Sequence, residues 1–272
     1  MYKEIDHQQI NFTQTGGTKK KYILWVRHCE SCANKSTIFN PMRKSIREPL
    51  CTEKGIAQSF IFGKQLKTLS HDFNIYCSVL PRAMETAKLI SCGLGISSKQ
   101  ILRTNYCQET KSWYETDAFA KFGTTNLTNL EKSNCHATAI NKFIICGSKV
   151  NDNTILGYKN NKYFTESNYN KWKKEILPKL HDNVINIVVV HGRFLRKQVL
   201  KDIGGVKIKF ANLEGVLLEY CDLNVKLIKE YRNISINDIN LNIEKLYNPL
   251  MKRMANCSYT FHKDILPLCS KI

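Results

Sequence analysis

The chain has 272 residues, 43% of them hydrophobic, which supports one substantial core and excludes a peptide or a low-complexity polymer. A formal net charge of +18 favours anionic partners, yet the lysines are spread along the chain without an arginine-rich stripe interleaved with aromatics, so no nucleic-acid module is expected. The 11 cysteines are odd in number and irregularly spaced, which argues against a secreted disulfide framework, and no apolar run reaches membrane-spanning length.

Residues 1–20 are polar, carry Thr15-Gly16-Gly17-Thr18 and run into a lysine cluster, so they read as a flexible lead-in with no apolar signal segment. The expected compartment is the cytoplasm, with reduced thiols. From Tyr22 an apolar run, Ile23-Leu24-Trp25-Val26, reads as a buried strand that stops abruptly at Arg27-His28. Thr52 has the chemistry of a helix N-cap, with Ile56, Phe60 and Leu66 on the inward face of the helix that follows. Asn74–Ser78 reads as a short strand, after which Pro81 suits the first turn of a second helix that Arg82 opens. Ala83, Ala87 and Ile90 form its packing face.

Between Thr110 and Asn183 lies a long polar stretch with an apolar patch near Phe143–Cys146 and a helix from about Tyr169 to Leu180. A structureless loop of that length is improbable inside a compact domain, so the stretch is read as a cap over the strand ends. Its exposed lysines, such as Lys111, Lys121, Lys132 and Lys142, read as a solvated surface. Val184–Val190 is the most apolar strand candidate and runs straight into His191-Gly192-Arg193-Phe194-Leu195-Arg196 and a helix. Val216–Tyr220 and Val225–Ile228 look like a closing hairpin, and after Asn233 the periodicity is lost. The organisation expected is therefore a lead-in (1–20), one domain (21–232, with the cap inserted at about 110–183) and a C-terminal extension (233–272). Cys269 stands fourth from the end, but Lys271 spoils a prenylation signal; Ser270-Lys271-Ile272 approaches a peroxisomal address without matching it.

Three strands each end in a residue suited to phosphate. In a three-layer α/β/α domain with a mostly parallel sheet, the carboxyl ends of the strands share one edge, so Arg27, His28, Arg82 and His191 converge although distant in sequence. Guanidinium is always charged and grips phosphate oxygens with a planar fork, and a neutral imidazole is a nucleophile for phosphorus.

The residues Arg27-His28-x-Glu30-Ser31-x-x-Asn34, Thr52-Glu53-Lys54-Gly55-x-x-Gln58, Ser78-x-Leu80-x-Arg82-Ala83-x-Glu85-Thr86-Ala87 and His191-Gly192-x-Phe194-x-Arg196 resemble, in order and spacing, the histidine phosphatase superfamily that includes the cofactor-dependent phosphoglycerate mutases. The resemblance spans about residues 21–109 and 184–221. It implies a phosphoglycerate mutase-like fold and a phosphomonoester hydrolase working through a phosphohistidine on His28. A phosphomutase acting on a sugar acid would use the same residues. His191 would donate a hydrogen bond to the transferring phosphoryl, and Arg27, Arg82, Asn34 and the backbone at Gly192 would bind it. The family places its general acid downstream of the second arginine, where Glu109 stands, with Glu115 and Asp117 as the nearest other carboxylates.

Cys29 replaces the family's glycine and creates Cys29-Glu30-Ser31-Cys32, which also reads as a thioredoxin-like dithiol; a protein that only binds phosphate is the remaining alternative. No cofactor and no metal are expected, since neither paired Cys-x-x-Cys units nor a His-x-x-x-His helix occurs. The expected partner is a small phosphorylated substrate or a phosphoprotein. Neither a membrane span nor nucleic acid is anticipated, and the oligomeric state is left open.

Overall fold

In the computed structural model of the full chain, the described residues are 20–31, 34, 51–70, 72–78, 80–96, 101–107, 155–156, 168–204, 209–221 and 224–232. The seven strands are β1 (Lys20–Arg27), β2 (Phe73–Ser78), β3 (Ile101–Thr104), β4 (Ile155–Leu156), β5 (Ile185–Val190), β6 (Gly215–Cys221) and β7 (Asn224–Tyr231). They form one sheet in the order β4-β3-β2-β5-β1-β6-β7. The five strands from β4 to β1 pair in parallel, and β6 and β7 add an antiparallel hairpin at one edge. The mostly parallel sheet and the closing hairpin agree with the sequence reading. β1 begins at Lys20, two residues before the expected start, because Lys20 and Lys21 pair with Cys221 and Tyr220.

Two layers of helix cover the sheet. Helices α1 (Glu53–Leu66) and α2 (Pro81–Leu94) pack on each other and on the face formed by Leu24, Val26, Ile75, Cys77, Ile187 and Val189. The other face carries Ile23, Trp25, Val188, Val190, Val216 and Leu218 under α3 (Asn168–Glu175) and α4 (Gly192–Lys197). This is the α/β three-layer architecture expected from the alternation of apolar strands and amphipathic helices.

Local chemistry sets the element ends as anticipated. The Thr52 side chain accepts a hydrogen bond from Gly55 N at 3.0 Å and caps α1, while Ile56, Phe60 and Leu66 are buried. Pro81 sits in the first turn of α2, whose Ala83, Ala87 and Ile90 are fully buried. The last helix of the expected cap does form, as α3, but it lies against the sheet: Trp172 packs edge-on to Trp25 with ring centroids 4.6 Å apart. β4 likewise joins the sheet beside β3. These two elements of the 110–183 stretch therefore belong to the sheet layers. Residues 110–154 and 157–167, the lead-in up to residue 19 and the extension from Asn233 lie outside the described residues.

Candidate active site

The three strands β2, β5 and β1 are neighbours and parallel, and their carboxyl ends meet at one edge. Register makes this explicit: Arg27 pairs with Val190, Cys77 pairs with Val189, and His28 N donates to Val190 O at 2.8 Å. The residues that follow these three strands are thus delivered to one place, as the topology requires.

Arg82, in the first turn of α2, sits between two imidazoles. Its Nε donates to His28 Nε2 at 3.1 Å and its Nη2 to His191 Nδ1 at 3.2 Å. The two rings lie 5.2 Å apart, centroid to centroid, so one tetrahedral anion spans the gap. Guanidinium has donors only, which fixes both tautomers. His28 carries its proton on Nδ1 and donates to Cys29 O at 2.7 Å; His191 carries its proton on Nε2 and donates to Ser78 Oγ at 3.0 Å. Each ring thereby directs a lone pair at Arg82.

Both histidines are buried. Burial, then the charges of Arg82 and Arg27, holds His28 well below the usual imidazole range, with the Cys29 carbonyl opposing the shift. His191 is lowered by burial, then by Arg82, His28 and Arg27. The cluster therefore combines two neutral rings with two guanidiniums, a formal charge of +2 that matches a phosphomonoester dianion.

Arg27 is held from behind, its Nη1 donating to Phe210 O at 2.7 Å. Gly192 leaves room for it: a β-carbon there would lie 3.0 Å from Arg27 Nε. Asn34, expected on the phosphate, uses its Oδ1 inside the loop, accepting from Ser31 N at 3.2 Å, Ser31 Oγ at 2.9 Å and Asn212 Nδ2 at 3.2 Å. Glu109, Glu115 and Asp117 lie outside the described residues.

The Cys29/Cys32 dithiol needs correction. Cys29 is bonded to Cys51, with a Cα–Cα distance of 6.1 Å, and Cys32 lies outside the described residues. The reason is tertiary: the N-terminus of α1 docks on the loop after β1, where Thr52 N donates to Glu30 O at 2.9 Å, Thr52 Oγ1 to Glu30 Oε1 at 2.9 Å, and Ser31 bridges to Cys51. The expectation of fully reduced thiols fails at the same pair. Elsewhere Cys77 and Cys107 are buried free thiols; burial pushes Cys77 up to about 12 and raises Cys107 well above the usual thiol range, so neither is a nucleophile at neutral pH.

The structure brings Arg27, His28, Arg82 and His191 to one point, with Gly192 against Arg27, and sequence reasoning gave no role to Ser78, Asn212 or Cys51. Ser78 was within reach of it, since it opens the quoted Ser78-x-Leu80-x-Arg82 run. Asn212 reads from sequence as an ordinary turn residue before a strand.

Two imidazoles and two guanidiniums thus share one point at the carboxyl edge of the parallel strands. Residues 23–104 match the family model of the histidine phosphatase superfamily (branch 1), so the resemblance carried by Arg27-His28 and by the start of α2 is shown there. His191 and Gly192 fall outside the matched span and join the site by geometry. No curated protein matches the chain. Among solved structures it is similar to the ecdysone phosphate phosphatase of Bombix mori, at 14% identity, 80% of this chain, 95% of that one and a TM-score of 0.49. It is also similar to the alpha-ribazole phosphatase from Shigella flexneri (16%, 77%, 96%, 0.48) and to a phosphoglycerate mutase from Bacillus anthracis (16%, 79%, 94%, 0.45). No helix among the described residues is long and apolar enough to cross a membrane.

Proposed function

We propose that the protein is a phosphomonoester hydrolase that works through a phosphohistidine on His28. The observation that carries this reading is Arg82 bridging the lone pairs of His28 and His191 at 3.1 and 3.2 Å. A phosphoryl group entering there takes over the guanidinium's donors, which frees His28 Nε2 for in-line attack. Phosphoryl transfer is carried mainly by positioning and charge stabilisation, and Arg27 and Arg82 supply both.

The chemistry balances as follows. The Nε2 lone pair of His28 forms the P–N bond while the bond from phosphorus to the ester oxygen breaks, and the leaving oxygen takes a proton from a carboxylic acid, assigned by the resemblance to Glu109. Water then attacks phosphorus, its proton returns to that carboxylate, and the P–N bond breaks. His191 Nδ1 donates to the phosphoryl once the ring is doubly protonated, a state favoured by a dianion beside a ring that burial and the nearby guanidiniums otherwise keep neutral. Asn34 offers its Nδ2 to the phosphate, since its Oδ1 is taken up by Ser31 and Asn212. The substrate is a small phosphorylated compound or a phosphoprotein, and the reaction belongs in the cytoplasm.

A panel of phosphomonoesters assayed for phosphate release, with alkaline quench to keep an acid-labile phosphohistidine, tests this. Release that vanishes in His28→Ala, with radiolabel trapped on His28 in the wild type, is the expected result. Phosphoglycerate interconversion without net release would replace hydrolysis by mutase chemistry, and turnover surviving in His28→Ala would refute the nucleophile.

A further inference from the structure

The carbonyl oxygen that accepts the His28 ring proton is itself held by a side chain that the sequence reading did not single out. Asn212 Nδ2 donates to Cys29 O at 2.7 Å and to His28 O at 2.9 Å, and it reaches Asn34 Oδ1 at 3.2 Å. One amide thus clamps the carbonyls of the nucleophile and of the residue after it, together with the loop that follows. Cys29 O accepts from Asn212 on one side and from His28 Nδ1 on the other.

A second observation stands beside this one. Asn212 occupies a turn in which Ala211 N donates to Glu214 Oε2 at 2.7 Å and Glu214 N to Ala211 O at 3.3 Å. The next residue, Leu213, has φ of +62°, a left-handed conformation that a branched side chain adopts at a cost. Its side chain is buried in the core and its N–H donates to Arg27 O at 3.1 Å, so packing and hydrogen bonding enforce the strain. Backbone strain of this kind is retained where surrounding structure over-determines it, and here its effect is to aim Asn212 at the loop after β1.

We propose that Asn212 is the positioning residue of His28: by holding the Cys29 carbonyl it keeps the ring proton on Nδ1 and the attacking lone pair on Nε2. The inference rests on His28 being the nucleophile. Asn212 touches the backbone and Asn34, not the reacting atoms. Among the described residues, the charged and titratable groups facing His28 are Arg27 from β1, Arg82 from α2 and His191 after β5.

The test is ¹⁵N NMR of the His28 ring in the full chain, with kinetics alongside. With inorganic phosphate bound, which takes up the Arg82 donors that otherwise hold Nε2 as an acceptor, wild-type protein shows Nδ1–H and Asn212→Ala shows a mixture of tautomers. In the same variant kcat falls roughly 10- to 100-fold while KM changes little, the split expected when an aligned attacker is loosened. Asn212→Asp, equal in size but unable to donate, behaves like the alanine variant. An unchanged tautomer and kcat in either variant overturns the proposal. So does wild-type His28 with its proton on Nε2, a result that needs no variant to fold. Should no substrate release phosphate, the hydrolase reading fails separately, and the ring signals still decide the role of Asn212.

Discussion

The two faces of the sheet are built on different principles, and the site lies where they meet. Behind the nucleophile, α1 and α2 are joined backbone to backbone: a β-carbon on Gly93 would strike the Phe60 carbonyl, and one on Gly63 the Ile90 carbonyl. That face also holds the Cys29–Cys51 bond and the buried carboxyl of Glu85. The opposite face is filled by aromatic area, with Trp25 against Trp172, Tyr169 and Phe194. A chain of polar atoms runs through it: Trp25 Nε1 donates to Tyr220 Oη, the Tyr220 and Tyr169 hydroxyls lie 2.8 Å apart, and Tyr169 donates to Asp202, which Lys173 neutralises. One face positions by close approach, the other by bulk, and tolerance to change should differ accordingly.

The largest test of that contrast is the disulfide. Its two cysteines are 22 residues apart in sequence, and closing such a loop stabilises by about 3 kcal/mol, chiefly through the unfolded chain. Urea unfolding with and without a strong reductant should show a loss of that size, absent in Cys51→Ala. Equal midpoints in the two conditions would mean that the α1 face does not depend on the bond.

Next comes a pair of substitutions, one per face. Gly93→Ala adds a single carbon where Phe60 leaves no room, at a cost of about 2 kcal/mol. Trp172→Phe removes far more volume from the aromatic face but also removes a buried indole N–H that meets no acceptor among the described residues. Its net cost should stay below about 1.5 kcal/mol. Thermal melts rank the two. A larger loss at Trp172 would reverse the comparison.

How much of this was legible in the sequence follows the same division. β1, β5 and the hairpin announce themselves because apolar runs end at residues that cannot continue them, such as Arg27-His28 and His191-Gly192. The caps at Thr52 and Pro81 are local chemistry and were readable too. Cys51 was not, because its pairing depends on α1 docking against the loop after β1, a contact with no periodic trace. Asn212 was hidden for a related reason: its meaning comes from the positive φ of Leu213 and from carbonyls 183 and 184 residues away. α3 packs on the sheet because Trp172 and Tyr169 are inward residues, in a segment whose overall polar composition hides them.

Glu85 offers the last and most graded test. Its Oε2 accepts from Cys51 N at 2.6 Å, while its buried Oε1 meets no partner among the described residues. Burial raises this carboxyl well above the usual range, the bond from Cys51 opposing it, so the folded protein holds a proton that the unfolded chain has lost. For an acid whose folded pKa is raised, stability declines as pH climbs from the ordinary carboxylate value towards the folded one, by at most about 1.4 kcal/mol per pH unit. Glu85→Gln keeps the acceptor and removes the titration. It should match the wild type near pH 4.5 and become progressively more stable than it at higher pH. His28 and His191, held low, cost both proteins stability on acidification below the ordinary imidazole value, so they cancel in the difference. The Tyr169–Asp202 chain on the other face is satisfied, so Tyr169→Phe should lose stability by a pH-independent amount across the same range. A constant difference between Glu85→Gln and wild type, or a pH-dependent one at Tyr169, would show that the titrating buried group had been assigned to the wrong face.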